Sequence, residues 1–296
     1  MRTGVFLSAT EPIDEVGAAF EAVAAGGFDS VWVPQIFNYD ALTLIAAIGN
    51  RAPGIEIGTA VIPTYPRHPM MLAGQALTTQ AAIGNRLALG IGLSHQVVIE
   101  HMFGYSFERP ARHMKEYLQA LLPLLSGEAV SVQGETLKAA GQLSVPAASR
   151  PQVLLAALAP AMLKLAGGVA DGTVTWMTGP DTVANHIVPS ITAAAEAAGR
   201  PAPRTVVALP TLVTADPNGA RERAATTFVI YGGLPSYRAM LDKEGAAGPA
   251  DVAIVGDEAT VRKAIDRVRD GGATDFVAVP FGAADENART LEVVKG

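Results

Sequence analysis

Short runs of nearly unbroken Val, Ile, Leu and Ala alternate along the whole chain with longer amphipathic segments, and this alternation restricts the fold more than any other feature. The apolar runs lie at residues 3–8, 30–34, 55–62, 86–93, 152–158, 173–177, 204–214 and 275–280. Strands with one wet face alternate polar and apolar residues. Runs that are apolar at almost every position read instead as parallel strands covered on both faces. Between them lie helical patterns. Residues 14–25 place Val16, Phe20 and Val23 on one face and break at Gly26-Gly27. Residues 109–125 carry Met114, Leu118, Leu121 and Leu125 in one stripe, followed by Gly127. Asp257 caps a helix with Val261, Ala264, Ile265 and Val268 inward, closed by Gly271-Gly272. Close to eight strand–helix units without a break in composition predict a single α/β domain over residues 1–296, a closed (β/α)8 TIM barrel, with a doubly wound open sheet as the alternative. Two segments interrupt the alternation: a hairpin-like stretch at 129–145 around Gly134, and a Gly/Pro-rich stretch at 230–253 with a short helix near 236–243. In a barrel such insertions cap the mouth or make subunit contacts.

Composition removes several function classes. With no cysteine among 296 residues there is no disulfide framework, thiolate metal site or cysteine nucleophile. A net charge of −6 argues against a nucleic-acid binder, which needs a basic face. With 49% apolar and only 17% charged residues the chain can build a large core. No apolar run approaches the ~20 residues of a membrane span. The opening MRTGVFLSAT passes straight into a strand-like run without a signal-peptide pattern, so the expectation is a soluble cytoplasmic protein.

Barrel enzymes place their chemistry where the strands end. The residues there are Gln35 to Tyr39, Pro63 to Pro69, Gly90 to His95, Ala157 to Pro160 and Thr178 to Asp181. Gly90 and Gly92 leave the backbone bare, which admits a flat ring or a phosphoryl group. The same glycines also suit a tightly packed barrel interior, and a short GxG does not separate the two readings. His95 titrates near neutrality and is able to move a proton, or is simply a loop histidine. No GxSxG elbow is present, which argues against a serine hydrolase. The five histidines show no HExxH or i, i+4 pair, so no metal site is expected. A GxxxxGK[ST] loop and a GxGxxG after the first strand are both missing. His113 falls on the polar side of its helix and is expected to be solvated. Leu158-Ala159 and Thr178-Gly179 each lead into a helix with proline at its start, where free N–H groups suit a phosphate or are simply capped.

Five segments in this order, GFDSVWV (27–33), IGTAVIPTYPRHPMMLAGQALTTQ (57–80), GNRLALGIGLSHQVVIEHMFG (84–104), ADGTVTWMTGP (170–180) and IVGDEATVRKAIDRVRDGGATDF (254–276), resemble the bacterial luciferase-like monooxygenase superfamily. Within it the chain looks like the branch that uses the deazaflavin coenzyme F420. The resemblance spans almost the whole chain, and the RHP–A–Q element followed by GNRLALGIG is its most specific part. It implies a flavin or deazaflavin ring in the barrel mouth, lined by Gly90, Gly92, Leu93 and Ser94. Thr59, Ala60 and Val61 would bulge behind the ring, with a non-proline cis peptide at Ala60-Val61. The phosphate-bearing tail would reach Leu158, Ala159, Thr178 and Gly179, and its glutamates would meet rim cations at Arg67, His68, Arg109 and Arg112. His95 and Gln35 stand where catalytic groups are expected. Asn38, Tyr39, Tyr65 and Trp176 would lie near a small organic substrate, with plain packing the alternative for the aromatic ones. Sugar-phosphate dehydrogenases of the F420 branch carry Asp-His where Gln35-Ile36 stands here, and Glu where His95 stands, so their reaction is not implied. FMN-using members often carry a Trp-Asn-x-Val-Thr-Ser block after the fourth strand. Its absence favours F420 over FMN. The alternatives are an FMN-dependent two-component monooxygenase and a non-catalytic flavin-binding barrel. The resemblance also implies a homodimer through the helices of 41–48 and 70–82.

Overall fold

The computed structural model describes the whole chain, Met1–Gly296. In order, its first half contains β1 (Arg2–Phe6), α1 (Ile13–Ala25), β2 (Ser30–Val33), α2 (Ala41–Ile48), β3 (Glu56–Thr59), β4 (Ile62–Pro63), α3 (Pro69–Ala82), β5 (Leu87–Gly92), α4 (Pro110–Leu125), β6 (Val130–Gln133) and β7 (Lys138–Gly141). The second half contains β8 (Gln152–Leu155), α5 (Pro160–Gly168), β9 (Gly172–Trp176), α6 (Pro180–Thr182), α7 (Val188–Ala197), β10 (Arg204–Val213) and α8 (Pro217–Thr227). It closes with α9 (Val229–Gly233), α10 (Pro235–Glu244), β11 (Ile254–Gly256), α11 (Glu258–Asp270), β12 (Asp275–Pro280) and α12 (Ala284–Lys295). Strands β1, β2, β3, β5, β8, β9, β10 and β12 pair in parallel and close on themselves through β12 and β1, giving the expected (β/α)8 barrel. No helix is long and apolar enough to cross a membrane.

Alternate residues of each strand face opposite ways. The inward set forms a barrel core of Trp32, Ala88, Leu154, Val174, Val206, Ala208, Val277 and Val279. The outward set joins the helices in a larger layer that includes Ile57, Ile62, Leu89 and Ile91. Trp32 fills the barrel axis. Its ring occupies the space that a side chain at Gly58 would need, so that position has to be glycine. Below Trp32, at the N-terminal end of the barrel, the Arg204 guanidinium lies 5.8 Å from the indole centroid.

The run 55–62, expected as one strand, is split. Gly58 pairs with Ala88 and Ile62 with Ile91, so four steps along one strand face three along the other. This is a β-bulge with one extra residue. In the gap the Thr59 hydroxyl takes over from the ladder, donating to Gly90 O at 2.8 Å and accepting from Gly90 N–H at 2.9 Å. The stretch 129–145 does hold a hairpin, β6–β7, with Gln133 opposite Lys138. The short helix in 230–253 is α10. A strand missing from the sequence reading, β11, pairs in parallel with the last residues of β10, Thr211–Val213.

Candidate functional site at the barrel mouth

Two unlike walls face each other across the C-terminal end of the barrel. The first is the bulge, where the Ala60–Val61 peptide is cis. A Cβ at Gly90 would collide with the Thr59 carbonyl oxygen, and one at Gly92 would lie 2.8 Å from Val61 Cγ2 and 3.0 Å from Ala156 Cβ. Packing alone therefore requires both glycines: they let the bulge lie against β5, where Ala60 and Val61 face the barrel mouth. Ala60 and Val61 both pack against the barrel core. Immediately beyond, Ser94 adopts a left-handed conformation (φ 61°), which turns the chain sharply into His95. Met177, just past β9, does the same with φ 52°.

The second wall is aromatic. Phe6, at the end of β1, lies nearly parallel to Trp176, at the end of β9, with centroids 6.5 Å apart. Phe228, between α8 and α9, and Tyr231, within α9, each meet the indole edge-on at 5.7 Å. Tyr237 on α10 packs edge-on against Tyr231 at 5.2 Å and reaches across to His95 at 5.6 Å. The insertion that holds α9 and α10 thus covers the mouth and joins the two walls. Burial lowers the pKa of His95, so the imidazole is neutral at pH 7.

The other expected site residues are placed as follows. Gln35 accepts the Ala41 N–H at 2.7 Å, which fixes its amide oxygen and leaves its NH2 to donate. Asn38 is exposed. The Tyr39 hydroxyl is tied to Glu11 O at 3.2 Å. Leu93 is half-buried and packs against the helix layer. Thr178 is buried, with its hydroxyl on Trp176 O at 3.2 Å. The two expected anion sites differ. Thr182 N–H and Asp181 N–H donate to the Glu244 carboxylate at 2.7 and 3.1 Å, so a carboxylate of the chain already sits against Gly179. The start of α5 after Leu158 and Ala159 has no such side-chain cap. The rim cations are also engaged: Arg67 pairs with Asp40, Arg109 and Arg112 pair with Glu135, and a His68 nitrogen meets Lys138 O at 2.8 Å. The sequence reading had left them free, because their partners lie far away along the chain or on the hairpin.

His113 is not solvated. It is only 7% exposed, stacked on Tyr65 with centroids 4.0 Å apart and bonded to the Thr64 hydroxyl at 3.1 Å. Burial pushes its pKa down to about 4. The polar face of α4 is covered by the loop after β4 and by the hairpin, whose turn donates Glu135 N–H and Thr136 N–H to Glu116. Burial works against the charged form of Glu116, but these bonds and that of the Thr136 hydroxyl hold its pKa down at about 2. The Tyr65 hydroxyl is buried with no partner, and burial, aided by Glu100, raises its pKa to about 12. A polar cleft of about 500 Å³ lies at the opposite end of the barrel, lined by Arg2, Glu56, Arg86 and Arg150. Arg2 and Arg150 are paired with carboxylates and Arg86 donates to the carbonyls of Ala52 and Ile55, so the cleft offers a ligand little.

The sequence profile of the luciferase-like monooxygenases matches residues 1–275. The chain belongs to this family. A 5,10-methylenetetrahydromethanopterin reductase of Methanolobus tindarius is 29% identical over 261 residues, covering 85% of this luciferase-like chain and 78% of the relative. The coenzyme F420-dependent tetrahydromethanopterin reductase of Methanopyrus kandleri shares the fold with a TM-score of 0.83 at 21% identity, over 99% of this chain and 97% of the other. So does the oxygenating constituent of 3,6-diketocamphane monooxygenase of Pseudomonas putida in complex with FMN, with a TM-score of 0.78 at 16% identity over 100% and 97%. The sequence reading missed Phe6, Phe228, Tyr231 and Tyr237. The signal for Phe6 was present, since it ends the first apolar run. The others sit in an insertion whose path over the mouth no local pattern encodes.

Proposed function

We propose that this luciferase-like protein is an F420-dependent oxidoreductase that moves a hydride between the deazaflavin C5 and a small organic substrate at the barrel mouth. The observation that carries the reading is a mouth with a backbone wall on one side, an aromatic wall on the other and a neutral, half-buried imidazole beside them. A planar ring suits that arrangement: Ala60 and Val61 offer a flat apolar surface behind it, and Leu93 and Ser94 edge it. The uncapped start of α5 presents N–H groups toward a phosphate near Leu158 and Ala159. When bound, a deazaflavin supplies a two-electron hydride carrier with little reactivity toward oxygen. His95 holds or releases the proton that accompanies the hydride. The Gln35 NH2 orients the substrate, and the α9–α10 cover excludes water. The relative named as a methylenetetrahydromethanopterin reductase and the F420-dependent neighbour support this cofactor.

The test is a pair of titrations followed by absorbance, one with F420 and one with FMN. Tighter binding of F420 is expected, and His95→Ala should leave that binding intact while slowing turnover by ~10²–10⁴-fold. Tighter binding of FMN would hand the protein to the two-component monooxygenase reading. That reading is supported by the FMN-bound neighbour and by the pairing of Arg67, Arg109 and Arg112, which leaves few free cations for a glutamyl tail. The Arg109 and Arg112 pairs are exposed and worth only about 0–1 kcal/mol each, so a polyanionic tail is able to compete for those arginines.

A further inference from the structure

The Trp176 Nε1–H is sealed from solvent and has no hydrogen-bond acceptor. A buried donor in this state carries the full cost of its lost hydration, and proteins rarely tolerate one without a use for it. The donor sits in the aromatic wall, at the C-terminal end of a barrel strand, where ligands bind in this architecture. Its neighbours there are rings without charge: Phe6, Phe228 and Tyr231. The Tyr231 phenol is raised by burial and lowered by the nearby indole N–H, yet the two groups do not meet hydrogen-bond geometry. Tyr231 and Phe228 both belong to the insertion that covers the mouth, whose outer face exposes Val229 and Ile230.

We propose that Trp176 and the aromatic cover form a substrate subsite for an uncharged flat ring bearing one neutral oxygen acceptor, such as an aryl ketone. The acceptor takes the orphaned Nε1–H, and Phe228 and Tyr231 repack around the ring. The class follows from the wall. Aromatic faces reward a flat apolar body. One unpaired donor selects an acceptor, because a ligand without one leaves that donor unpaired. With no cation in the wall, a carboxylate there would be desolvated without a counter-charge. The proposal rests on the mouth being the substrate site, as argued above.

The chain has two tryptophans, so an ¹H–¹⁵N spectrum of the full-length protein shows two indole N–H signals. The Trp32 Nε1–H is already bonded to Ser30 Oγ at 2.9 Å and serves as an internal control. Trp176→Phe assigns the second signal. Acetophenone, ethylbenzene and benzoate are then titrated into cofactor-free protein. Acetophenone should move the Trp176 signal downfield saturably and leave the Trp32 signal in place. It should bind about tenfold more tightly than ethylbenzene, the amount a single hydrogen bond provides, and benzoate should bind more weakly than both. In Trp176→Phe the two uncharged probes should bind alike. Tyr231→Phe should keep the preference for the ketone, which shows that the indole and not the phenol reads the acceptor. A Trp176 signal indifferent to acetophenone, equal affinity for ethylbenzene in the parent protein, or preferred binding of benzoate would each overturn the proposal. The readout needs no deazaflavin, so a failure of F420 to bind would sink the functional reading alone.

Discussion

At the N-terminal end of the barrel Arg204 uses all five of its N–H donors. Two go to Asp275 at 3.0 and 2.5 Å, two to Glu56 at 3.0 and 2.6 Å, and one to Gln152 at 2.9 Å. At the C-terminal end two buried polar atoms, Tyr65 Oη and Trp176 Nε1, have no partner, against a single one, Arg200 Nε, in the turns that lead into β9 and β10. The contrast separates what a barrel needs in order to close from what it needs in order to work. A fully satisfied ionic cluster locks four strand starts together, while the unpaired polar atoms at the mouth are stability forgone.

The comparison breaks most visibly at the bottom. Arg204→Ala strands the carboxylate of Asp275, whose side chain is 2% exposed, and that of Glu56 beside it. A loss of about 3–5 kcal/mol is expected, read as a lower urea midpoint. His113 provides the next largest effect. Its folded-state pKa of about 4 lies below the ordinary 6.5, so the native state resists protonation. The associated stability is fully present above pH 6.5 and is lost as the pH falls toward 4, by up to about 3 kcal/mol. His113→Gln should flatten the stability profile in that window. The contribution of Glu116 has a separate window, fading only as the pH falls from 4.5 toward 2.

Gly90→Ala pushes a methyl group into the Thr59 carbonyl and should cost about 1–3 kcal/mol as the bulge shifts. Cofactor affinity should fall further than the melting temperature does, because the bulge wall is the part that moves. The smallest effect has the opposite sign. Tyr65→Phe removes a buried hydroxyl that bonds to nothing, so stability should rise by about 1 kcal/mol. A loss of stability in Tyr65→Phe would mean that its hydroxyl is satisfied after all, and the contrast between the two ends would fail at that residue.

Much of this was legible in the chain. The unbroken apolar runs gave the parallel barrel, and Gly26, Gly127 and Gly271 ended helices near where they were expected to end. The ionic cluster also left a trace that was not used: Glu56, Gln152, Arg204 and Asp275 are each the first residue of a strand, a charged or amide head on an apolar run. Inward-facing residues at the same height meet across the barrel interior, so four such heads predict a cluster. The partners of His113, Glu116, Arg67 and Arg109 were not legible, because each is set by a loop or hairpin folding back over a helix. The bulge was hidden from local pattern, since Thr59 to Val61 are as apolar and β-branched as any strand interior, but the family resemblance implied both it and the cis Ala60–Val61 peptide, and both are present.

That bulge has a consequence for the reading frame of the barrel. Along β3, Ile57 looks outward to the helices and Gly58 inward to Trp32, and strict alternation would turn Ile62 toward the barrel axis. The extra residue changes the parity, so Ile62 rejoins the outer layer opposite Ile91, while Ala60 and Val61 both look inward. Deleting any one residue from 59–61 would therefore leave the later side chains in phase, because three steps of plain alternation from Gly58 also turn Ile62 outward opposite Ile91. What the deletion would erase is the bulge itself, and with it the pair of neighbouring residues that both face into the barrel.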